Sequence, residues 1–455
     1  MAAQTLFDDN FSFNKVLNNI IIVEKIFKCL NARQLNTCAR VCKVWNYQAK
    51  REKERRVHMR WNYFSADHFE AGDFDAQQWW TSVKSFILDG PIEPGFILLF
   101  CSDALCCHLS EIKQKRRKKN KADLHGLLAP VLPTQCSFQI VTTDGIIGTD
   151  DKLKTEELEE FELALSLIMF GKNMMEHPTF DLEFVPFSFS YDECQELNNF
   201  WCEGSNVAPP FMHNMLHKEV KMLNLYCPIS GIDQEVGYSF LRMLQCPLIA
   251  GGYVNSKLLR DEAGNVSSSE PNSMVAGFAV CGRSVQVASV LIKSGVDSEA
   301  EVEKLVKSLK DHNLPLDHSF GLMYACVGRG VHVYECRNIE SSVFRKHFPV
   351  TPLLGFFGNG EIGCTYPSAH LPLPSNGINI RGSGQCDPLE SCPSTDSLAQ
   401  QGQRMLRSSS HRVVGAQELK YPPKLLHAYT TVLCLISLSS ISSMPTAAAA
   451  NASTT

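Results

Sequence analysis

The chain has 455 residues, enough for two or three domains, with an apolar fraction of 44% and a formal net charge of −5. That balance excludes a nucleic-acid signature for the molecule as a whole, and the eighteen cysteines are scattered with no Cys-x-x-Cys pair. The N-terminus has neither a basic region nor a long apolar run, so the thiols read as reduced and mostly buried in a cytosolic or nuclear protein, not as a disulfide framework.

Residues 1–14 read as a flexible N-terminus. Ile22, Ile26 and Leu30 then recur every four residues, which stacks them on one face of a short helix. Asn31 breaks that pattern, Leu35 and Ala39 begin a second apolar stripe, and Val41 and Trp45 close it. Three such helices span about 30 residues, too few for an independent core. Their leftover apolar surface needs either a partner protein or the larger domain beside it. The charged run 50–56 reads as a helical exit.

Lys113, Lys115, Arg116, Arg117, Lys118, Lys119 and Lys121 put seven cations into nine residues. An exposed loop carrying a nuclear-localisation signal is the favoured reading, ahead of a plain solvated loop. No interleaved aromatics are present to stack on bases, so nucleic-acid contact is disfavoured.

Beyond about residue 90 strands alternate with helices. Segments 97–100, 138–141 and 182–189 are strand-like, and 248–252 reads as a buried strand entering a glycine turn. Segments 275–280 and 285–292 read as a hairpin around residues 281–283. Ser298 with Glu301 fits a capping box before a helical stripe of Val302, Leu305, Val306 and Leu309. Strands are expected at 320–326 and 331–334 around Gly328 and Gly330, then a helix at 339–347 and a strand at 353–357. Of the 49 residues in 365–413, 18 are Pro, Gly or Ser, which predicts a disordered insertion. The segment 428–440 falls short of the ~18 apolar residues a membrane span needs and reads as a buried helix. The tail 447–455 is of low complexity.

The chemistry-bearing motifs are sparse. Gly358, Gly360 and Gly363 have dinucleotide-binding spacing, but no helix follows to hold a pyrophosphate. A tight glycine turn remains, and its polar residues Asn359 and Glu361, with Arg329, form the candidate small-ligand pocket. Cys326 is the most tempting nucleophile, with His332 near it in sequence, but it reads as a buried strand cysteine. No His/Cys spacing suits zinc, so no catalytic set, metal or cofactor is expected.

The order of residues at the N-terminus resembles an F-box. Ile26-Phe27, Leu30, Leu35 and Val41 to Trp45 follow that motif's spacing, while Asn18-Asn19 stand where Leu-Pro is usual and Asn31 where a proline is usual. Residues 321–330, 344–349 and 355–364, with 248–253 and 427–431, resemble the C-terminal FIST domain (F-box and intracellular signal transduction). The chain therefore resembles F-box proteins that carry a FIST region.

That resemblance implies an α+β fold. A three-helix F-box over 15–60 would precede a mixed α/β FIST region, its N-terminal domain at 61–250 with a basic loop at 112–122. The C-terminal domain would take 251–364 plus 424–440, around an insertion at 365–423, with a disordered tail at 441–455. It further implies a non-catalytic substrate receptor of a Skp–cullin–F-box ubiquitin ligase. Ile22, Ile26, Phe27, Leu30, Leu35, Val41 and Trp45 would bind the Skp adaptor, and through it the cullin scaffold. The FIST region would hold protein substrates or a small-molecule ligand. The alternative is a ligand-sensing signalling domain whose N-terminal helices are merely structural. Neither nucleic acid nor membrane is an expected partner, and the expected location is cytoplasmic and nuclear.

Overall fold

The computed structural model describes Leu17 and residues 19–66, 74–109, 124–228, 232, 234–245, 247–268, 273–367 and 422–441. Among the described residues, three helices precede the sheets, α1 (Ile20–Lys28), α2 (Ala32–Cys38) and α3 (Lys43–Glu54). Asn19 caps α1 by accepting from the backbone N–H groups of Ile21 and Ile22. Asn31 caps α2 in a reciprocal box with Gln34. A side chain that satisfies the free N–H groups of a first turn starts a helix as well as proline does. Two of the asparagines that depart from the F-box pattern are therefore its helix starts.

The remaining described residues build three six-stranded sheets around a core rich in phenylalanine. The first runs β1 (Met59–Ser65), β6 (Ala164–Gly171), β2 (Pro94–Ser102), β3 (Ser137–Thr143), β10 (Ser256–Arg260), β11 (Val266–Ser268). The second runs β7 (Glu183–Phe189), β12 (Val275–Cys281), β8 (Val220–Cys227), β9 (Leu248–Tyr253), β16 (Glu361–Gly363), β17 (Leu426–His427). The third runs β13 (Val285–Ile292), β18 (Thr431–Leu438), β14 (Ser319–Cys326), β15 (Leu353–Gly358), β4 (Gly145–Thr149), β5 (Thr155–Leu158).

One pattern is used three times. Each sheet has a parallel pair at its centre, β2–β3, β8–β9 or β14–β15, with antiparallel joins on both sides. Each parallel pair is bridged by a helical crossover, as parallel strands require. The units are consecutive in the chain: β1–β6, β7–β12 and β13–β18. The fourth and fifth strands of each unit leave it as a pair and complete another unit's sheet. Thus β4–β5 join the third sheet, β10–β11 the first and β16–β17 the second. The chain is a cyclic exchange with pseudo-threefold symmetry.

The axis of that symmetry is visible in the core. Phe100, Tyr226 and Tyr324 occupy equivalent places on β2, β8 and β14, and their ring centroids are 6.2–6.4 Å apart. The residues that follow β3, β9 and β15 also meet. Asp144 accepts from the Asn359 amide at 2.9 Å, and from that of Asn255, two residues beyond the end of its strand, at 2.8 Å.

The α+β expectation holds, and several local expectations are corrected. Segments 275–280 and 285–292 are strands but not a hairpin, because β12 and β13 belong to different sheets. Their link turns at Gly282, φ +110°, where a Cβ would lie 2.0 Å from the Asp181 carbonyl oxygen. Val331–Tyr334 is a short helix, not a strand. Segment 428–440 contains β18, a strand between β13 and β14, not a helix. Its unbroken apolar run is what a strand buried on both faces requires, and periodicity cannot tell that from a buried helix. Glycines 251 and 252 lie within β9 and not in a turn after it. Ser298 precedes the helix Glu299–Lys310 but donates to the Glu301 carboxylate, so the reciprocal box does not form. Every sheet contains strands from both sides of residue 250, the boundary expected between two FIST domains. Of the insertion, residues 365–367 and 422–423 are described, and Tyr366 pairs with Ser289. Residues 1–14, the basic run 113–121, residues 368–421 and the tail from 442 lie outside the described residues.

Candidate docking face and ligand site

The inner face of α1 is Val23 and Phe27, both buried, with Leu30 half-buried beyond them. They follow the i, i+4, i+7 spacing of one helix face, one position out of phase with the stripe of Ile22, Ile26 and Leu30 read from the sequence. Phe27 meets Trp45 edge-on, with centroids 5.5 Å apart, and Trp45 Nε1 donates to the Leu17 carbonyl at 3.0 Å. Leu35 and Ala49 are fully buried in the same small cluster.

The expected docking set is therefore divided. Phe27 and Leu35 hold the module together and are inaccessible to a partner. Ile22, Leu30 and Trp45 are half-buried, and only Ile26 and Val41 lie open. The outer surface adds residues that the four-residue count passed over: Ile20, Ile21, Val44 and Tyr47. With Ile26 and Val41 these exposures run from 40% at Val44 to 67% at Ile21, unusual for so many large apolar side chains in one short stretch. A cleft of about 440 Å³ adjoins them, lined by Ala39, Cys42, Lys43, Asn46, Tyr47 and Lys50.

Arg56 is the most heavily bonded tie between this module and the sheets, and Asn173 adds a bond to the Lys53 carbonyl of α3. Arg56, 6% exposed, donates to the Leu30 carbonyl at 2.7 Å, to Phe27 at 2.9 Å and to Lys28 at 3.3 Å, all at the C-terminal end of α1. It also donates to the Pro91 carbonyl at 2.9 Å and pairs with Glu52 at 2.9 Å. A cation at the carbonyl end of a helix complements the helix dipole as well as the open acceptors. The Ala32 N–H donates to Gly90 at 3.1 Å beside it.

The expected ligand residues do not converge. Arg329 is fully buried and ion-paired with Glu340 at 2.6 Å, and it also donates to the Val296 carbonyl at 2.9 Å and to the Tyr334 hydroxyl. Its guanidinium is consumed within the fold, so it is no ligand contact. Asn359 is exposed and engaged by Asp144. Glu361 is fully buried and accepts from the N–H and hydroxyl of Thr430 at 3.1 and 2.7 Å. Burial pushes its carboxyl up to about 7, against the lowering effect of those two bonds. Cys326, 6% exposed, has its thiol pKa raised by burial and then by the neighbouring Glu361 charge. A thiol so held stays protonated, and the exposed His332 makes no hydrogen bond to it.

A ligand-sized cleft lies beside Thr430. It measures about 610 Å³ and is lined by Lys293, Ser294, Thr365, Lys424, His427 and Thr430, among others. His427 Nε2 lies 2.9 Å from the Gly363 carbonyl and 3.0 Å from that of Lys424, so Nε2 carries the proton. Burial lowers the His427 pKa, which leaves the ring neutral. Among the described residues no group of three or more His, Cys, Asp or Glu side chains could hold a metal ion, and no helix is long and apolar enough to cross a membrane.

Comparison with known proteins agrees with the sequence pattern. Residues 264–364 match the FIST C domain. F-box only protein 22 of Homo sapiens is 29% identical over 365 residues, covering 77% of this chain and 85% of that protein. F-box only protein 22 of Pongo abelii is 28% identical over the same length and shares. The resemblance to F-box proteins with a FIST region is borne out.

Proposed function

We propose that the chain is the substrate-recognition subunit of a Skp–cullin–F-box ubiquitin ligase. It docks the Skp adaptor through the outer face of α1–α3 and presents target proteins from the FIST region for ubiquitination and proteasomal degradation. The observation that supports this most is the exposure of six large apolar side chains, Ile20, Ile21, Ile26, Val41, Val44 and Tyr47, on a module too small to bury them. Its similarity to proteins named for their F-box points the same way. In this reading Phe27, Leu35 and Trp45 act through the fold of the module, the outer residues act by contact, and thioester chemistry belongs to the recruited conjugating enzyme. The receptor would work in the cytoplasm and the nucleus.

Co-purification with the adaptor and cullin tests it. Ile26→Ala with Val41→Ala should weaken capture by ~2–4 kcal/mol, about 30- to 1000-fold, as truncated interface anchors do. Val350→Ala, exposed elsewhere on the chain, serves as the control. Wild-type capture by the double variant would sink the reading.

The cleft beside Thr430 supports a second reading, a sensor for a small anionic metabolite held by Lys293 and Lys424. A ligand at 100 times its dissociation constant stabilises the fold by ~2.7 kcal/mol. A panel of amino acids and carboxylates that shifts no melting temperature, beside intact adaptor binding, leaves the ligase reading alone.

A further inference from the structure

Outside the N-terminal module, three exposed apolar side chains gather around one loop. They are Phe161, 85% exposed, Tyr429, 64%, and Val331, 36%. The loop is 327–331, which leaves the end of β14. The Tyr429 ring lies against Gly328, where a Cβ would come within 2.9 Å of it. On the other side Glu159, two residues before Phe161, accepts the Val331 N–H at 3.0 Å and fills the space a side chain on Gly330 would need.

Both aromatics are held in a backbone conformation that bulky residues rarely adopt. Phe161 has φ +69° and Tyr429 φ +58°. Strain of this kind persists only where the surroundings impose it, and it concentrates at binding surfaces. The two turns are related by the internal symmetry: each carries the chain from an exchanged strand pair to the last strand of its unit, β5 to β6 and β17 to β18. Each is also tied down. Arg337 pairs with Glu162, the Asn338 side chain accepts the Glu157 N–H at 2.6 Å, and Thr430 is held by Glu361. The rim is acidic. Glu160 and Glu335 are exposed beside Glu159, and the cation Arg337 is already matched by Glu162.

We propose that this patch is a docking surface for a cationic polypeptide segment. Arginine or lysine stems lie on the Phe161 and Tyr429 rings and against Val331, and their charges reach Glu160 and Glu335. Rings backed by carboxylates select such side chains through cation–π attraction, apolar contact along the stem and Coulomb attraction together. That this segment belongs to a protein to be ubiquitinated rests on the ligase reading, but the binding itself does not.

The test uses the full chain and a labelled peptide of alternating Arg and Leu, with an alternating Glu and Leu peptide as control, followed by fluorescence anisotropy. The first peptide should bind, more weakly as salt rises, and the second should not. Phe161→Gly and Tyr429→Gly should each weaken binding at least about tenfold. Glycine adopts positive φ freely, so their melting temperatures should hold or rise, which separates lost contact from lost fold. Glu160→Lys with Glu335→Lys should also weaken binding. Adaptor capture should be unchanged in all of these variants, so failure here is distinguishable from failure of the ligase reading. No binding of the Arg–Leu peptide, equal binding of the acidic one, or retention in both glycine variants would each overturn the proposal.

Discussion

Arg56→Ala should detach the N-terminal helices from the sheets without unfolding the rest. The side chain is 6% exposed, and its partner Glu52 is 7% exposed. Truncation leaves that carboxylate without its ion-pair partner, and breaking a buried pair from one side costs ~3–5 kcal/mol. The carbonyls of Phe27, Lys28, Leu30 and Pro91 lose a donor at the same time, but water can reach some of them once the joint opens. We expect about 4 kcal/mol, confined to the module and its junction. Amide hydrogen exchange with mass spectrometry reads this directly: exchange over 20–54 should accelerate about a thousandfold, while β2, β8 and β14 keep wild-type protection. Adding Glu52→Ala removes the stranded charge and should recover part of the loss. A cost below about 1 kcal/mol, or uniform acceleration across all three sheets, would refute the assignment of Arg56 as the joint.

Asn31→Ala should cost α2 about 1 kcal/mol and Asn31→Ser far less, read as faster exchange over 32–38, and equal behaviour of the two would discount the cap. Glu157 is pushed up to about 7 by burial and then by the Glu340 charge, while its bonds to Ser341 pull the other way. A carboxyl whose folded pKa lies above its unfolded value binds more protons when folded, so stability should fall as pH rises from 4.5 to about 7 and stay low above that. Glu157→Gln should remove up to about 3 kcal/mol of that slope, followed as melting temperature against pH, and an unchanged slope would contradict the assignment. Near the axis, Tyr324 donates to the Asn224 side chain at 2.6 Å, while Leu98 and Leu322 hold the equivalent places in the other two units. Asn224→Leu alone should cost about 2 kcal/mol in denaturant unfolding, and adding Tyr324→Phe should return much of it, so simple additivity would argue against the pairing.

What could be read from the residues was local. Apolar runs such as 97–100 and 138–141 announce strands because a strand buried on both faces needs no alternation. Their partnerships were not legible, since nothing near Phe100 marks Tyr226 and Tyr324 as its neighbours. The phase of α1 was lost for a related reason. Ile20, Ile21, Ile22 and Val23 are all apolar, so several stripes fit, and the cap at Asn19 decides among them. Arg56 ends a run of charges that resembles a solvated helix face, and its burial depends on the Pro91 carbonyl far along the chain. Arg329 failed as a ligand residue for the same cause. Phe161 sits among Glu159, Glu160 and Glu162, where composition suggests an ordinary surface turn and only the backbone geometry shows otherwise.

The cyclic exchange of strand pairs also sets the order in which this protein can be completed on the ribosome. The pair β4–β5 is synthesised early, yet its sheet is finished only when β18 inserts between β13 and β14, near the end of the described chain. Until then the second sheet waits for the borrowed pair β16–β17 and the third for its own β18, and open strand edges persist. A nascent chain stopped before residue 431 would leave β13 and β14 unjoined in the sheet that also holds β4–β5.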